Sequence, residues 1–333
     1  MTARPTIDLR ILRSTQVREL LPMPDCISLM RRTMIAVSEG RAEVPLRSVI
    51  KMPGDIGMMG NMGGFLADPE CYGVKIVSLS PRNIGTAYSS HLGIVLLFET
   101  EHGRPVAILD AGEITAIRTA AASALATDLL ARPDAGDLAI LGAGEQAASH
   151  LQAMRCVRQL RRVRVWSPTP ASAQRFSQEN SGPSGLTVEP ISDARECVAG
   201  ADIICAVSKA RDPILFGNDV APGVHVNLVG SSLISTAEAD GALVAKARYF
   251  VDMRLSALNE AGELRRTLEA GQIGLDHLLG EIGEVANGRV AGRITNEDIT
   301  VYKSLGIAAQ DLAAAHFVNE RARERDVGQV VEF

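Results

Sequence analysis

The sequence predicts a two-domain α/β protein in which a doubly wound parallel sheet is joined to a smaller α+β domain. Three observations predict it. From about residue 137 onward, apolar strand-like runs alternate with helical runs. A glycine-rich turn sits where the first of those strands meets its helix. Before residue 110 the pattern is different, with several strand-like runs linked by short turns. A chain of 333 residues has room for about two such domains.

Up to about residue 45 the chain reads as mainly helical, leading into a strand. Ser14-Thr-Gln-Val17 opens one amphipathic run, and Met23 to Met30 opens another that Asp25 is placed to cap. Val44 to Ile50 is a short β-type run. The segment Met52 to Leu66 holds five glycines and four methionines. It reads either as a flexible surface loop or as backbone that approaches a ligand closely, which glycine permits. Tyr72–Ser78, Leu92–Phe98 and Pro105–Leu109 are strands, the last two forming a hairpin through Glu101-His-Gly-Arg104.

A long Ala-rich helix follows, from about Ala111 to Leu130. Strands at Asp137–Leu141, Val163–Trp166, Ile203–Val207, Val224–Val229 and Tyr249–Asp252 then alternate with helices at Gln146–Val157 and Ala171–Ser177. The boundary falls in the long helix. The first domain takes residues 1–119 together with 307–333, and the second takes 120–306. A final helix from Gly306 to about Arg323 is placed to pack back on the first domain, and Asn319 to Asp326 reads as its solvated end.

Composition narrows the class. With 46% hydrophobic and 22% charged residues, the chain matches soluble globular proteins. No apolar stretch is long enough to span a bilayer, so no membrane association is expected. Met1 leads into no signal-like core, so a cytoplasmic location is expected. A net charge of −5 argues against a nucleic-acid partner, which needs a basic face. The five cysteines lack C-x-x-C spacing, so neither disulfides nor a metal site is expected.

The strongest motif is Gly142-Ala-Gly144-Glu145-Gln146-Ala147, a G-x-G-x-x-A turn directly after an apolar strand. In that context it is a Rossmann-type dinucleotide turn. Gly142 permits the tight bend, Gly144 lets backbone N–H groups reach a pyrophosphate, and the helix N-terminus faces the phosphates. The carboxylate that often ends the second strand and grips a ribose diol is absent; Ser167 and Thr169 stand there. The cofactor is therefore NAD or NADP, with a lean to NAD.

Arg118 is the only charge between Glu113 and Asp128. A buried arginine needs an anion, either an internal partner or a substrate or cofactor group. Lys75 and Arg47 sit mid-strand, where alternation makes each more often an outward, solvated charge. Together the three cations nonetheless fit capture of an amino or keto acid carboxylate, and Lys75 could protonate an imine nitrogen. His225 reads as a core histidine, and Glu281 and Glu284 as helix-end carboxylates.

Several segments resemble the ornithine cyclodeaminase/μ-crystallin family. They are Pro45-Leu-Arg-Ser-Val, Gly73-Val-Lys-Ile-Val, Ile114-Thr-Ala-Ile-Arg-Thr-Ala-Ala, Ile140-Leu-Gly-Ala-Gly-Glu-Gln-Ala, Ala201-Asp-Ile-Ile, Pro222-Gly-Val-His-Val-Asn-Leu-Val-Gly-Ser-Ser and Tyr302-Lys-Ser-Leu-Gly-Ile-Ala-Ala-Gln-Asp311. The resemblance implies that Arg47, Lys75 and Arg118 serve the substrate carboxylate and reacting centre, and that Ser90 and Arg118 also touch the cofactor. It implies cofactor contacts at Gly142, Gly144, Glu145, Gln146, Ser167, Thr169, Val207, Ser208, Asn227, Val229, Gly230, Ser231 and Ser304. Met62, Ser232 and Leu305 become the candidate pocket residues. The resemblance also implies a homodimer built on the first, substrate-binding domain.

The family's cyclodeaminases carry a catalytic aspartate where this chain has Ser232, and the ketimine reductases carry a serine. Gly63 stands where many relatives have proline. The leading expectation is an NAD(P)H-dependent ketimine reductase or L-amino-acid dehydrogenase acting on a small imino or amino acid. One alternative is a cyclodeaminase-type ammonia-lyase or a hydroxyproline dehydratase, with Glu284 or Asp311 as a possible acid. Another is a non-catalytic cofactor-binding protein.

Overall fold

A computed structural model describes residues 6–54, 56–83, 86–182 and 186–332. Residues 1–5, part of the leader reading, and Asp55, inside the Gly/Met-rich segment, lie outside the described residues. The chain divides into two compact units, Met1–Arg118 with Ile307–Phe333, and Thr119–Gly306.

The first unit is built on a mixed sheet. Its strands are β1 (Asp8–Leu12), β2 (Ala42–Glu43), β3 (Ser48–Met52), β4 (Gly57–Ala67), β5 (Glu70–Leu79), β6 (His91–Phe98), β7 (Pro105–Asp110) and β16 (Gln329–Glu332). They run in the order β16-β1-β7-β6-β5-β4-β2, with β3 also paired to β4. Alternation along each strand puts one face inside. Cys71 and Lys75 of β5, Val95 and Leu97 of β6, and Ala107 and Leu109 of β7 are buried. Helices Met23–Ser38 and Ala308–Glu324 pack together within this unit, and the latter covers β4, β5 and β6.

The predicted hairpin forms, and its turn is held by one carboxylate. Glu99 accepts from the backbone N–H groups of Glu101, His102 and Arg104, at 2.8, 3.1 and 3.0 Å.

Several expectations are corrected here. The Gly/Met-rich segment is largely strand β4, paired with β5 from Met58–Leu79 to Ala67–Glu70. Gly64 makes room for packing, whereas Gly63 has only ordinary contact beside it. A Cβ on Gly64 would stand 3.2 Å from Ala308 Cβ, and one on Gly73 of the partner strand 2.1 Å from Leu96 O. Asp25 lies in the first turn of its helix, three positions past the N-cap residue Pro22, and pairs with Arg321 at 2.8 Å. Arg47 precedes β3 instead of sitting mid-strand. The Asn319–Asp326 segment is only partly solvated: Asn319 and Ala322 are buried, and the chain goes on into β16 against β1.

The second unit holds eight strands: β8 (Asp137–Leu141), β9 (Arg162–Trp166), β10 (Val188–Ile191), β11 (Ile203–Ala206), β12 (His225–Leu228), β13 (Arg248–Val251), β14 (Leu278–Glu281) and β15 (Thr300–Lys303). All pairs are parallel, in the order β10-β9-β8-β11-β12-β15-β13-β14. The inner strands are buried on both faces almost throughout, which is why they read as largely apolar runs. This is the doubly wound arrangement the sequence predicts. The prediction misses three strands, β10 within the series and β14 and β15 after Tyr249–Asp252. Thr300-Val-Tyr-Lys303 hid its burial behind a terminal lysine that is itself fully buried.

Candidate active site

In the first unit, the register of the sheet sets Lys75 on β5 directly opposite Met62 on β4 and Val95 on β6. All three point to the covered face and are buried. Strand alternation favoured an outward Lys75; instead its side chain is only 4% exposed. The uncovered face carries Tyr72, Val74 and Ile76, whose apolar character disguised the direction of the lysine.

Asp311 stands in the first turn of helix Ala308–Glu324, fully buried. Its Oδ2 lies 2.7 Å from Lys75 Nζ, and its Oδ1 accepts from Arg118 Nε at 2.7 Å. Arg118 Nη1 donates to Gln310 Oε1 at 2.8 Å. Lys75 also donates to Thr115 Oγ1 at 3.4 Å, one turn before Arg118 on helix Ala111–Leu130. Burial, opposed by Asp311 and reinforced by Arg118 and Arg47, lowers the Lys75 pKa from 10.5 to about 8. Arg118 thus has the internal anionic partner that was one of its two readings. Its Nη2 nevertheless has no partner among the described residues, and one Lys75 ammonium hydrogen is also uncommitted. Arg47 is half-buried. Ser90 is half-buried between β5 and β6, and its hydroxyl lies 3.1 Å from His91 Nδ1.

In the second unit, the strand order reverses between β8 and β11, the kind of crevice past the carboxyl ends of the strands where open α/β sheets take their ligands. Gly142 follows β8 with φ +123°, and a Cβ on it would meet Val207 O at 2.8 Å. Gly144 is the N-cap residue of helix Glu145–Val157, and nothing lies within 4 Å of where its Cβ would be. Here the chain has left open space in front of a 13-residue helix, facing its N-terminal amides. That cradle fits a pyrophosphate. Ser167 and Thr169 follow β9, and Thr169 makes no side-chain cap bond to its own helix. Val207 and Ser208 follow β11, Val229 to Ser231 follow β12, and Ser304 follows β15 with its hydroxyl buried and unpaired. A dinucleotide therefore fits this edge.

The sequence profile of the ornithine cyclodeaminase/mu-crystallin family matches residues 8–326. The chain belongs to the ornithine cyclodeaminase/mu-crystallin family. The ketimine reductase mu-crystallin of Mus musculus is 38% identical over 280 residues, covering 84% of this chain and 85% of its own. The Delta(1)-pyrroline-2-carboxylate reductase of Thermococcus litoralis, solved in complex with NADH and L-proline, aligns with a TM-score of 0.93. Its identity is 34%, and the match covers 97% of this chain and 100% of that one. An archaeal alanine dehydrogenase dimer solved with bound NAD aligns with a TM-score of 0.92 at 27% identity, covering 98% and 100%.

In this member of the ornithine cyclodeaminase/mu-crystallin family, four buried charges that sequence reasoning passed over shape the strand-end loops. The Glu238 carboxylate accepts from the Ser208 amide and hydroxyl, both at 2.7 Å, and from the Gly230 amide at 2.6 Å. Asp252 accepts from the amides of Leu305 and Gly306 at 2.8 and 2.7 Å. Lys303 donates to the carbonyl and hydroxyl of Ser231, whose hydroxyl donates in turn to Glu263. Single acids scattered through loops gave no local signal. Ser232 is half-buried and Leu305 buried. Asn227 lies within β12, its amide donating to Thr127 at 3.0 Å, so its side chain serves the core. His225 is a buried core residue, as expected, 2.9 Å from the Thr300 hydroxyl. Glu281 and Glu284 form a capping box.

Proposed function

We propose that this chain is an NAD(P)H-dependent reductase of a small α-imino acid, running in reverse as an L-amino-acid dehydrogenase. The observation that carries the reading is the buried pairing of Lys75 and Arg118 on one carboxylate, with hydrogen-bond donors left over on each. Arg118 Nη2, with Arg47, takes the substrate carboxylate in a charge-assisted contact. The remaining Lys75 N–H faces the imine nitrogen. A bound nicotinamide supplies the hydride to the imine carbon. Lys75 gives its proton to the nitrogen, the C=N double bond becomes a C–N single bond, and solvent reprotonates the lysine. An ammonium with a pKa of about 8 is charged at neutral pH and still a ready donor.

Lyase chemistry lacks its acid. Asp311 is sealed between two cations, and Glu284 is spent on the Glu281 amide and Arg254. Ser232 does not titrate near neutral pH.

Ser167, with neither a carboxylate nor an arginine beside it, leaves the ribose selection open. The NAD and NADH bound by the two solved relatives support NAD. The reading also takes the enzyme as a cytoplasmic homodimer. The uncovered face of the first unit's sheet supports the dimer: Ile50, Leu92 and Ile94 are 52%, 49% and 40% exposed there, on the side opposite Lys75.

The test is cofactor oxidation by the purified enzyme. NADH or NADPH should be consumed with piperideine-2-carboxylate, pyrroline-2-carboxylate, or pyruvate plus ammonia. Ammonia release from ornithine without net cofactor change, and no turnover of any imino acid, would overturn the reading.

A further inference from the structure

We propose that Asp311 is the positioning residue of this site: its two oxygens lock the Lys75 ammonium and the Arg118 guanidinium side by side and keep on Lys75 the proton that the reaction consumes. This rests on the reading of Lys75 as the proton donor.

The geometry leaves Asp311 no other task. It is fully buried, and each oxygen lies 2.7 Å from a different cation. It cannot itself serve the substrate as an acid, because both neighbours favour its ionised form. Its place in the first turn of a 17-residue helix adds a favourable field for negative charge. The adjacent Gln310 takes a second hydrogen from Arg118 and donates to Met34 Sδ, so two consecutive residues fix the guanidinium plane.

The charges around Lys75 show what Asp311 opposes. From helix Ala111–Leu130 comes Arg118, with the neutral Thr115; from the approach to β3 comes Arg47; from helix Ala308–Glu324 comes Asp311. On helix Met23–Ser38, Cys26 faces Arg118 but stays a neutral thiol, its pKa pushed up to about 12 by burial. Met62 and Val95, the cross-strand neighbours of Lys75, carry no charge. Of the charged groups acting on Lys75, Asp311 is the one that opposes Arg118 and Arg47. Without it, burial and two arginines would drive the proton off Lys75. With it, the cluster keeps a net positive charge that a substrate carboxylate can reduce.

The test uses the full-length enzyme and two readouts. The chain has only five lysines (Lys51, Lys75, Lys209, Lys246 and Lys303). Carbon-13 labelling at lysine Cε therefore gives a resolvable spectrum, with the Lys75 signal assigned by Lys75→Met. In Asp311→Asn, which keeps the shape and loses the charge, the Lys75 titration midpoint should fall by about one pH unit or more. Arg118→Gln, which removes a buried cation, should move the same resonance to higher pH, and it decides the matter if Asp311→Asn fails to fold. The alkaline limb of imine reduction in Asp311→Asn should shift in step, so that kcat falls about fivefold or more at pH 8 and far less at pH 6. A uniform loss of rate with an unmoved midpoint would mean that Asp311 is only structural. An unshifted Lys75 resonance in either variant overturns the proposal even if imines are reduced. A shifted resonance in an enzyme that reduces no imine sinks the functional reading and leaves the Asp311 assignment standing.

Discussion

The Glu238 carboxylate accepts the Gly230 amide at 2.6 Å, and from the same position it holds the amide and hydroxyl of Ser208. One buried anion thereby ties the turn after β11 to the turn after β12. A Cβ on Gly230 would stand 1.9 Å from Ser208 O, so the two turns also touch backbone to backbone.

Replacing that anion should therefore cost stability. Glu238→Gln swaps one acceptor for a donor that faces an N–H group. The expected loss is about 2–3 kcal/mol, from leaving buried polar groups unpaired. Gly230→Ala should cost at least as much, because backbone must move to admit the methyl. Denaturant unfolding checks both, and a change within the scatter of surface variants would contradict the account.

Gly144 should behave in the opposite way. Its Cβ would enter open space, so Gly144→Val should leave the melting temperature nearly unchanged. The same side chain would stand where the pyrophosphate approaches the helix N-terminus. Cofactor affinity should drop by about tenfold or more, a penalty of roughly 1.4 kcal/mol or greater. Titration of NADH fluorescence measures it, and unchanged affinity would remove the cradle from the cofactor site.

Lys75→Met should reduce imine turnover by about 10²–10⁴-fold, the usual contribution of a positioned acid. The fold should survive, because Arg118 and Asp311 remain paired. Cofactor binding should persist. Full activity in this variant would remove Lys75 from the reacting centre.

The direction of the reaction should set the direction of its pH dependence. Reduction needs the Lys75 proton, so kcat/KM should fall as pH rises through about 8. Oxidation of the amino acid needs the lysine neutral, so its kcat/KM should rise through the same region. Parallel limbs in the two directions would exclude Lys75 as the shared acid and base.

Acid should weaken the second unit. Burial lowers His150 from 6.5 to about 4 and His225 from 6.5 to about 3. Below pH 6.5 the unfolded chain binds a proton at each that the folded chain refuses. Stability should therefore decline from pH 6.5 toward the folded pKa values, by roughly 1 kcal/mol per pH unit for each histidine. Melting curves between pH 7 and pH 5 test this, and His150→Gln should flatten the slope.

The second unit was readable from its chain because its evidence is local. Gly142, Gly144 and Ala147 sit within six residues of each other, and the inner strands are mostly apolar. The first unit was harder, since its apolar alternation on β5 points outward at Tyr72, Val74 and Ile76 while Lys75 points inward. Gly64 looked like a loop residue because part of its reason, a helix passing close by, comes from the other end of the chain. Asp311 was named only as a possible acid. Its bond to Arg118 spans 193 residues, beyond the reach of any pattern read along the sequence.

That separation has a consequence for synthesis. Lys75 and Arg118 leave the ribosome long before Asp311 does, and the intervening stretch contains the entire second unit. The nascent first unit thus carries a mutually repelling pair with no counter-ion until its last helix emerges. A chain released early, short of Gln310, would lack the anchor for both side chains, so the pair can be locked only once the chain has passed Asp311.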